Sequence, residues 1–195
     1  MISGDAIDRA ENLGALKAFL EAISDLERVA VLGNWEYWSE VNLADLRRLY
    51  EAQRVRLLVN EIATYRLRGT RLQVVGLDDF TVGKPPERIL KSAGQAEISL
   101  VVQHSPGMFE AMERVGLAVE ADLCLSGHTH GGQLRVFGWA PWTPPGSGSF
   151  TAGMYRTEGC PLYVSRGIGT SLVAARFGSR PEIAVFDIGV KGRAR

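Results

Sequence analysis

Short apolar runs alternate with stretches of helical period along most of the chain. The runs "VAVL" (29–32), "RLLV" (56–59), "LQVVGL" (72–77), "ISLVV" (98–102), "LCL" (123–125) and "LYVS" (162–165) predict strands. Between them, Ala10, Leu13, Leu16, Leu20 and Ile23 fall on one helical face. Asn42 with Asp45 three residues on resembles a capping box that opens a helix through about Gln53, and a third helix is expected near Ser105-Pro106 with the proline in its first turn. The segment "GWAPWTPPGSGSF" (138–150) reads as a long loop, and no internal repeat or low-complexity linker is present. The pattern is that of a layered α/β protein, and 195 residues suit one domain spanning 1–195.

Composition narrows the function classes. Lys+Arg and Asp+Glu both number 22, so the balanced charge gives no general pull toward nucleic acid. No apolar run approaches the ~20 residues of a membrane span, and "MISGDAIDRAENLG" lacks the regions of a signal peptide. The expectation is a cytoplasmic chain. Trp139, Trp142 and Phe150 of the long loop would cover a lipid-like substrate or give peripheral membrane association, unless that loop folds onto its own core. Cys124 and Cys160 have no zinc-type spacing and are expected to be buried thiols.

The chemistry-bearing residues follow the ends of predicted strands. "MIS" runs into Gly4-Asp5, "VAVL" into Gly33-Asn34, "SLVVQ" into His104 and "LCLS" into Gly127-His128-Thr129-His130. Taken singly, Asp5 reads as a helix cap, Asn34 as a turn residue, His104 as a core histidine and the His-x-His as a solvated hairpin. If the strands run parallel, however, their ends share one edge, where α/β proteins assemble sites. A glycine before Asp5, Asn34 and His128 lets each short side chain aim into that common space.

The order Gly4-Asp5-x-x-Asp8, Gly33-Asn34-x-Glu36, His104, Gly127-His128-x-His130 resembles the calcineurin-like metallophosphoesterases. "GLDD" (76–79), "SGHTHGGQ" (126–133), "LYVSRGIGTS" (162–171) and "RPEI" (180–183) are similar to the YkuE-like branch of bacterial phosphodiesterases, so the resemblance covers nearly the whole chain. It implies a two-sheet β-sandwich flanked by helices with two divalent metals at one edge. Asp5 would bridge them, Asn34, His104 and His128 would complete one site, and His130 would reach the other. Such oxygen and imidazole ligands suit Mn²⁺, Fe or Zn²⁺, and two such ions clamp the attacking and departing oxygens of phosphoryl transfer. Arg9 would pair with a phosphate oxygen, unless it is an exposed first-turn arginine.

The sequence departs from the family pattern twice. The family's N-terminal Asp-x-His is not found, which implies an N-terminally truncated scaffold with one site nearly complete and the second deficient. It also leaves an open sheet position beside "MIS", to be covered by an upstream segment or a partner chain. Trp35 stands where the resemblance places a histidine acting as general acid, and an indole N–H donates a hydrogen bond without transferring its proton near neutral pH. The expected function is a metal-dependent phosphoesterase, a hydrolase of phosphodiester or pyrophosphate bonds in a phosphorylated small-molecule or lipid-like substrate, with a weakened site. The alternative is a non-catalytic metal-binding or interaction module on the same scaffold.

Overall fold

The computed structural model describes residues 1–83, 85 and 87–189. Three parallel strands, β1 (Ile2–Ser3), β2 (Arg28–Val31) and β3 (Val55–Leu57), form a small sheet in that order. A larger sheet comprises β4 (Glu61–Leu67), β5 (Thr70–Gly76), β6 (Ile98–Val102), β7 (Leu123–Ser126), β8 (Gly153–Arg156) and β9 (Pro161–Val164), with β8 outside β9. Its strands β5, β6, β7 and β9 are parallel, and antiparallel β4 and β8 close its two ends.

Alternation along the strands builds three apolar layers. Val29 and Val31 of β2 face inward and pack with Val74 of β5, Leu100 and Val102 of β6 and Leu123 of β7, so the sheets stack as a sandwich. The intervening Ala30, with Val55 and Leu57 of β3, faces outward against Leu16 and Leu20 of α1 (Leu13–Ala22) and Leu46 and Tyr50 of α3 (Leu43–Ala52). On the far side, Val75, Val101 and Cys124 pack against Met108 and Phe109 of α5 (Gly107–Arg114). Because both faces of β2 and β6 are covered, these strands read in sequence as nearly continuous apolar runs, interrupted in β6 by Ser99.

Each predicted helix is present. Asn42 caps α3 by accepting the Ala44 N–H at 2.9 Å, and Pro106 sits immediately before α5, where its missing N–H leaves no bond unmade. Four elements escaped the pattern. Strands β4 and β8 are half-solvated edges with no apolar run, while α2 (Asn34–Trp38) and α4 (Glu87–Leu90) are too short to show a period. The long loop divides the expectation placed on it: Phe150 is buried in the outer core, whereas Trp139 and Trp142 are exposed.

The buried thiols expected at Cys124 and Cys160 are instead a disulfide. Cys124 lies on β7 opposite Leu162 of β9, and this register carries Cys160 close to it on the outer face. A separation of 36 residues hides that adjacency, which only the strand order reveals. Closing a loop of this length typically contributes about 2–4 kcal/mol. Denatured, unreduced protein should therefore resist thiol alkylation, and urea unfolding should show reduced protein to be less stable by that amount; alkylation of both cysteines without reductant would remove the bond from the account.

Candidate functional site

Four side chains meet at the C-terminal ends of β1, β2, β6 and β7. Parallel alignment within each sheet, together with the stacking of the two, brings these ends to one rim. The edge expected from the sequence is thus shared: the small sheet delivers Asp5 and Asn34, and the large sheet delivers His104 and His128. The Asp5 carboxylate lies 3.0 Å from His104 Nε2, and Asn34 Oδ1 lies 2.9 Å from His128 Nδ1 and 3.2 Å from His104 Nε2. His104 Nε2 and His128 Nδ1 are 3.1 Å apart. Ligand atoms of Asp5, His104 and His128 all fall within 4.8 Å of one another.

Close approach of backbones makes this convergence possible. At Gly4, φ is +87°, and a Cβ there would meet His104 Nδ1 at 2.6 Å. Gly33 serves through close approach rather than an unusual backbone. Its backbone is extended, but a Cβ would sit 2.3 Å from Asp5 Oδ1. Asp5, His128 and His130 themselves adopt left-handed backbone at φ of 53°, 68° and 51°. Such strain persists where surrounding structure enforces it, and it clusters at functional sites.

Glu36 supplies the enforcement. Fully buried on α2, its carboxylate accepts the N–H groups of Asp5 (3.0 Å), Ala6 (2.6 Å) and Gly33 (2.7 Å), locking the β1 and β2 turns together. Asp5 Oδ1 in turn accepts the Trp35 N–H at 2.9 Å. Burial, and then the Asp5 charge, push the Glu36 carboxyl up to about 7. The "GLDD" motif performs the matching task on the other sheet. Asp79 accepts from Ser105 Oγ at 2.5 Å and from the Thr81 and Val82 N–H groups, while Asp78 accepts from Tyr37 Oη at 2.5 Å. The loop after His104 is thereby tied to α2. These supporting roles of Glu36, Asp78 and Asp79 went unread in sequence, although the motifs containing them stood out.

Proton accounting shows what the cluster fits. His104 Nδ1 donates to Ser3 O at 2.6 Å, and His128 Nε2 donates to Pro145 O at 2.8 Å, so the His128 Nδ1 lone pair points inward. Asp5, Asn34 Oδ1 and His128 Nδ1 are then three acceptors sharing at most the one proton on His104 Nε2. Burial opposes charge on His104, but the Asp5 carboxylate outweighs it and raises the imidazole to about 9. His128 is driven down to about 4 by burial and by the neighbouring His104 charge. An acceptor-rich, donor-poor cluster of oxygen and imidazole is a fitting seat for a divalent cation, with neutral His104 as a further ligand.

The remaining candidates lie apart from this cluster. His130 lines the same cavity, of about 190 Å³, whose walls include Trp35, Trp38, Trp142, Pro145 and Leu172. Its Nδ1 is 3.4 Å from Arg176 Nη2, and burial lowers its pKa, with the Arg176 charge adding to that effect. Trp35 faces the cavity and donates Nε1–H to Ser171 Oγ at 3.0 Å. Arg9 does not reach the site. It is an exposed residue paired with Glu11 at 3.6 Å, with extended backbone just before the first helical turn.

Two outcomes are expected. Manganese titration should give about one ion per chain, with His128→Ala removing most binding and His130→Ala far less. Calorimetry at pH 7.5 in buffers of different ionisation enthalpy should show release of about one proton, as His104 loses its charge on ligation, and binding should strengthen as pH rises toward about 9. Separately, Glu36→Gln should cost about 2 kcal/mol or more in a denaturant melt, since an amide cannot accept all three N–H groups, and should weaken manganese binding. An unaltered melt would show that the turns hold without it.

No family model matches the chain. Among curated proteins, it is 30% identical over 195 residues to the uncharacterized metallophosphoesterase YkuE of Bacillus subtilis (strain 168), covering 96% of this chain and 66% of that one. It is 32% identical over 138 residues to the phosphodiesterase YaeI of Escherichia coli (strain K12), covering 69% of this chain and 47% of the relative. The chain thus spans about two thirds of YkuE and about half of YaeI. The Haemophilus influenzae NAD nucleotidase structure superposes with a TM-score of 0.52 at 15% identity, over 85% of this chain and 39% of that one, a likeness of fold alone.

Proposed function

We infer that this chain, which belongs to the metallophosphoesterase family, is a metal-dependent phosphoesterase acting on phosphodiester or pyrophosphate bonds. The observation that carries this reading is the donor-poor convergence of Asp5, Asn34, His104 and His128 against the inner wall of a cavity that Asp5, Asn34 and His128 line. These four would hold an ion of the Mn²⁺, Fe or Zn²⁺ type, which when bound supplies positive charge against phosphoryl oxygens.

The chain's own residues then divide the remaining work. Trp35, Trp38 and Trp142 wall the cavity with apolar surface, excluding water and strengthening each charge interaction inside. His130 and Arg176 occupy another side. The Arg176 guanidinium donates to the carbonyls of His130, Arg166 and Gly169, so it orders the loop rather than presenting a fork to a phosphate. Its fixed charge beside His130 disfavours a second cation there, in keeping with a second site that is deficient. The substrate of this reading is a phosphorylated small molecule or a lipid-like phosphodiester, admitted between aromatic walls. The Cys124–Cys160 bond counts against the cytoplasmic location expected from sequence, because disulfides persist chiefly in oxidising compartments.

Trp35 sets the leaving-group preference. Its N–H is engaged by Ser171 and cannot deliver a proton, so departure of a basic alkoxide goes unassisted. General acid assistance is worth about 10²–10⁴-fold where the leaving group needs it. Manganese-dependent hydrolysis of bis(p-nitrophenyl) phosphate, abolished in His104→Ala, is the expected result; stoichiometric metal with no turnover would establish the non-catalytic module instead. Trp35→His should speed hydrolysis of an unactivated alkyl diester by roughly tenfold or more while changing the nitrophenyl diester little. Equal factors for both substrates, in a variant whose thermal melt is intact, would remove Trp35 from the acid's position.

A further inference from the structure

The surface beside the cavity mouth carries an exposed apolar face that the metal cluster and its supporting bonds do not explain. Two loops build it. Residues 134–139 form a tight turn closed by mutual bonds between Val136 and Trp139, and this turn is joined to the 169–178 loop where the Arg135 N–H donates to Phe177 O and the Phe177 N–H to Gln133 O. The Gln133 side chain adds bonds to Ser171 and Val173. On this paired frame Leu134, Val136, Phe137, Trp139, Leu172 and Phe177 all point to solvent, with Phe137 wholly exposed. Solitary exposed apolar residues are ordinary, but a contiguous set held by a backbone network marks an interaction surface.

Charge identifies the kind of partner. The chain as a whole is balanced, yet from Leu123 to Glu182 it has five arginines and two acids, Glu158 and Glu182, the latter paired with Arg166. Arg180 is exposed just beyond the frame and is the cation placed to meet an anionic headgroup, while Arg135 and Arg176 lie within the frame, where they donate to loop carbonyls and add positive charge; among the described residues none of the three has a carboxylate within ion-pair distance. Aromatic residues at a turn tip, beside arginines that have no carboxylate partner, suit the boundary between headgroups and acyl chains of an anionic bilayer. Trp38, Trp142 and Leu172 line the cavity, and Leu172 belongs also to the exposed face, so the two are continuous.

We propose that this face, the 134–139 turn with the 169–178 loop, docks the protein on an anionic phospholipid surface and turns the cavity mouth toward the headgroups. The docking surface stands whether or not the cavity is catalytic. Cosedimentation with unilamellar vesicles of phosphatidylcholine and phosphatidylglycerol at a 70:30 ratio tests it, with pure phosphatidylcholine vesicles as control. The expected result is binding to the anionic vesicles, a blue shift of tryptophan emission, and weakening as salt is raised. Phe137→Ser combined with Trp139→Ser should lower partitioning by roughly tenfold or more, while leaving turnover of a soluble diester and the thermal melt unchanged, since both side chains are exposed and outside the cavity. Arg180→Glu should weaken binding to anionic vesicles alone. Absence of binding to the anionic vesicles, or binding indifferent to the double substitution, would overturn the proposal. So would a self-association seen by sedimentation velocity and lost in the double variant, because the face would then be covered by a second copy.

Discussion

A single buried carboxylate holds the site's two nearest turns in place. Glu36 receives three backbone N–H groups from Asp5, Ala6 and Gly33, which belong to turns more than 25 residues apart in sequence. Without that acceptor, three donors would be buried unpaired, and the left-handed backbone at Asp5 would have nothing to hold it. Its placement on a five-residue helix is part of the design, since α2 begins at Asn34 and ends at Trp38. One short element therefore presents the Asn34 amide to the cluster, anchors the Asp5 turn through Glu36, and extends Trp35 and Trp38 into the cavity wall. The site is precise because few degrees of freedom separate its parts.

Electrostatics then accounts for the state of the metal-free cluster. Two imidazoles in edge contact, with ring centroids 4.9 Å apart, cannot both be charged in a buried place. Asp5 decides which one is, because its carboxylate touches His104 and so stabilises that ring as imidazolium while His128 stays neutral. Burial opposes ionisation of Asp5 as well, and the His104 charge overcomes it, leaving the carboxyl below its ordinary range. A proton on His104 thus takes the place of the cation that the acceptors around it favour, and exchange of that one proton for a divalent ion leaves the cluster one unit more positive, in the company of the Asp5 carboxylate.

Much of this was legible in the chain. Strands buried on both faces announce themselves as apolar runs, so β2, β6 and β7 were placed within a residue, and the polar residues following them could be assigned to one rim. Asp5, Asn34, His104 and His128 do meet there. The pattern carried no information on strand order, and that is why Cys124 and Cys160 read as separate thiols although β7 and β9 are neighbours. Nor does a residue type reveal direction. Arg9 follows Asp5 closely but turns to solvent, and His130, two residues from His128, meets Arg176 rather than the cluster. Side-chain partners contributed by distant loops, such as Ser171 for Trp35, have no local signal at all.

The segment following His130 couples the site to the surface beside it. Its first part builds the exposed turn around Phe137, and its later part returns to supply Trp142 to the cavity and the Pro145 carbonyl to His128. That carbonyl fixes the His128 tautomer, because accepting from Nε2 leaves the Nδ1 lone pair directed at Asn34 and His104. The backbone is held at both ends of this path. Ser179 Oγ and Arg176 donate to His130 O, and the Gly146 carbonyl accepts the Gly107 N–H at 2.8 Å at the start of α5. Displacement of the exposed turn would therefore be resisted on either side, by the His130 corner and by the large-sheet core beneath α5. A contact at the turn can orient the cavity toward a surface while the histidine cluster keeps its geometry, which is the mechanical requirement for a site that must meet a large, flat partner without deforming.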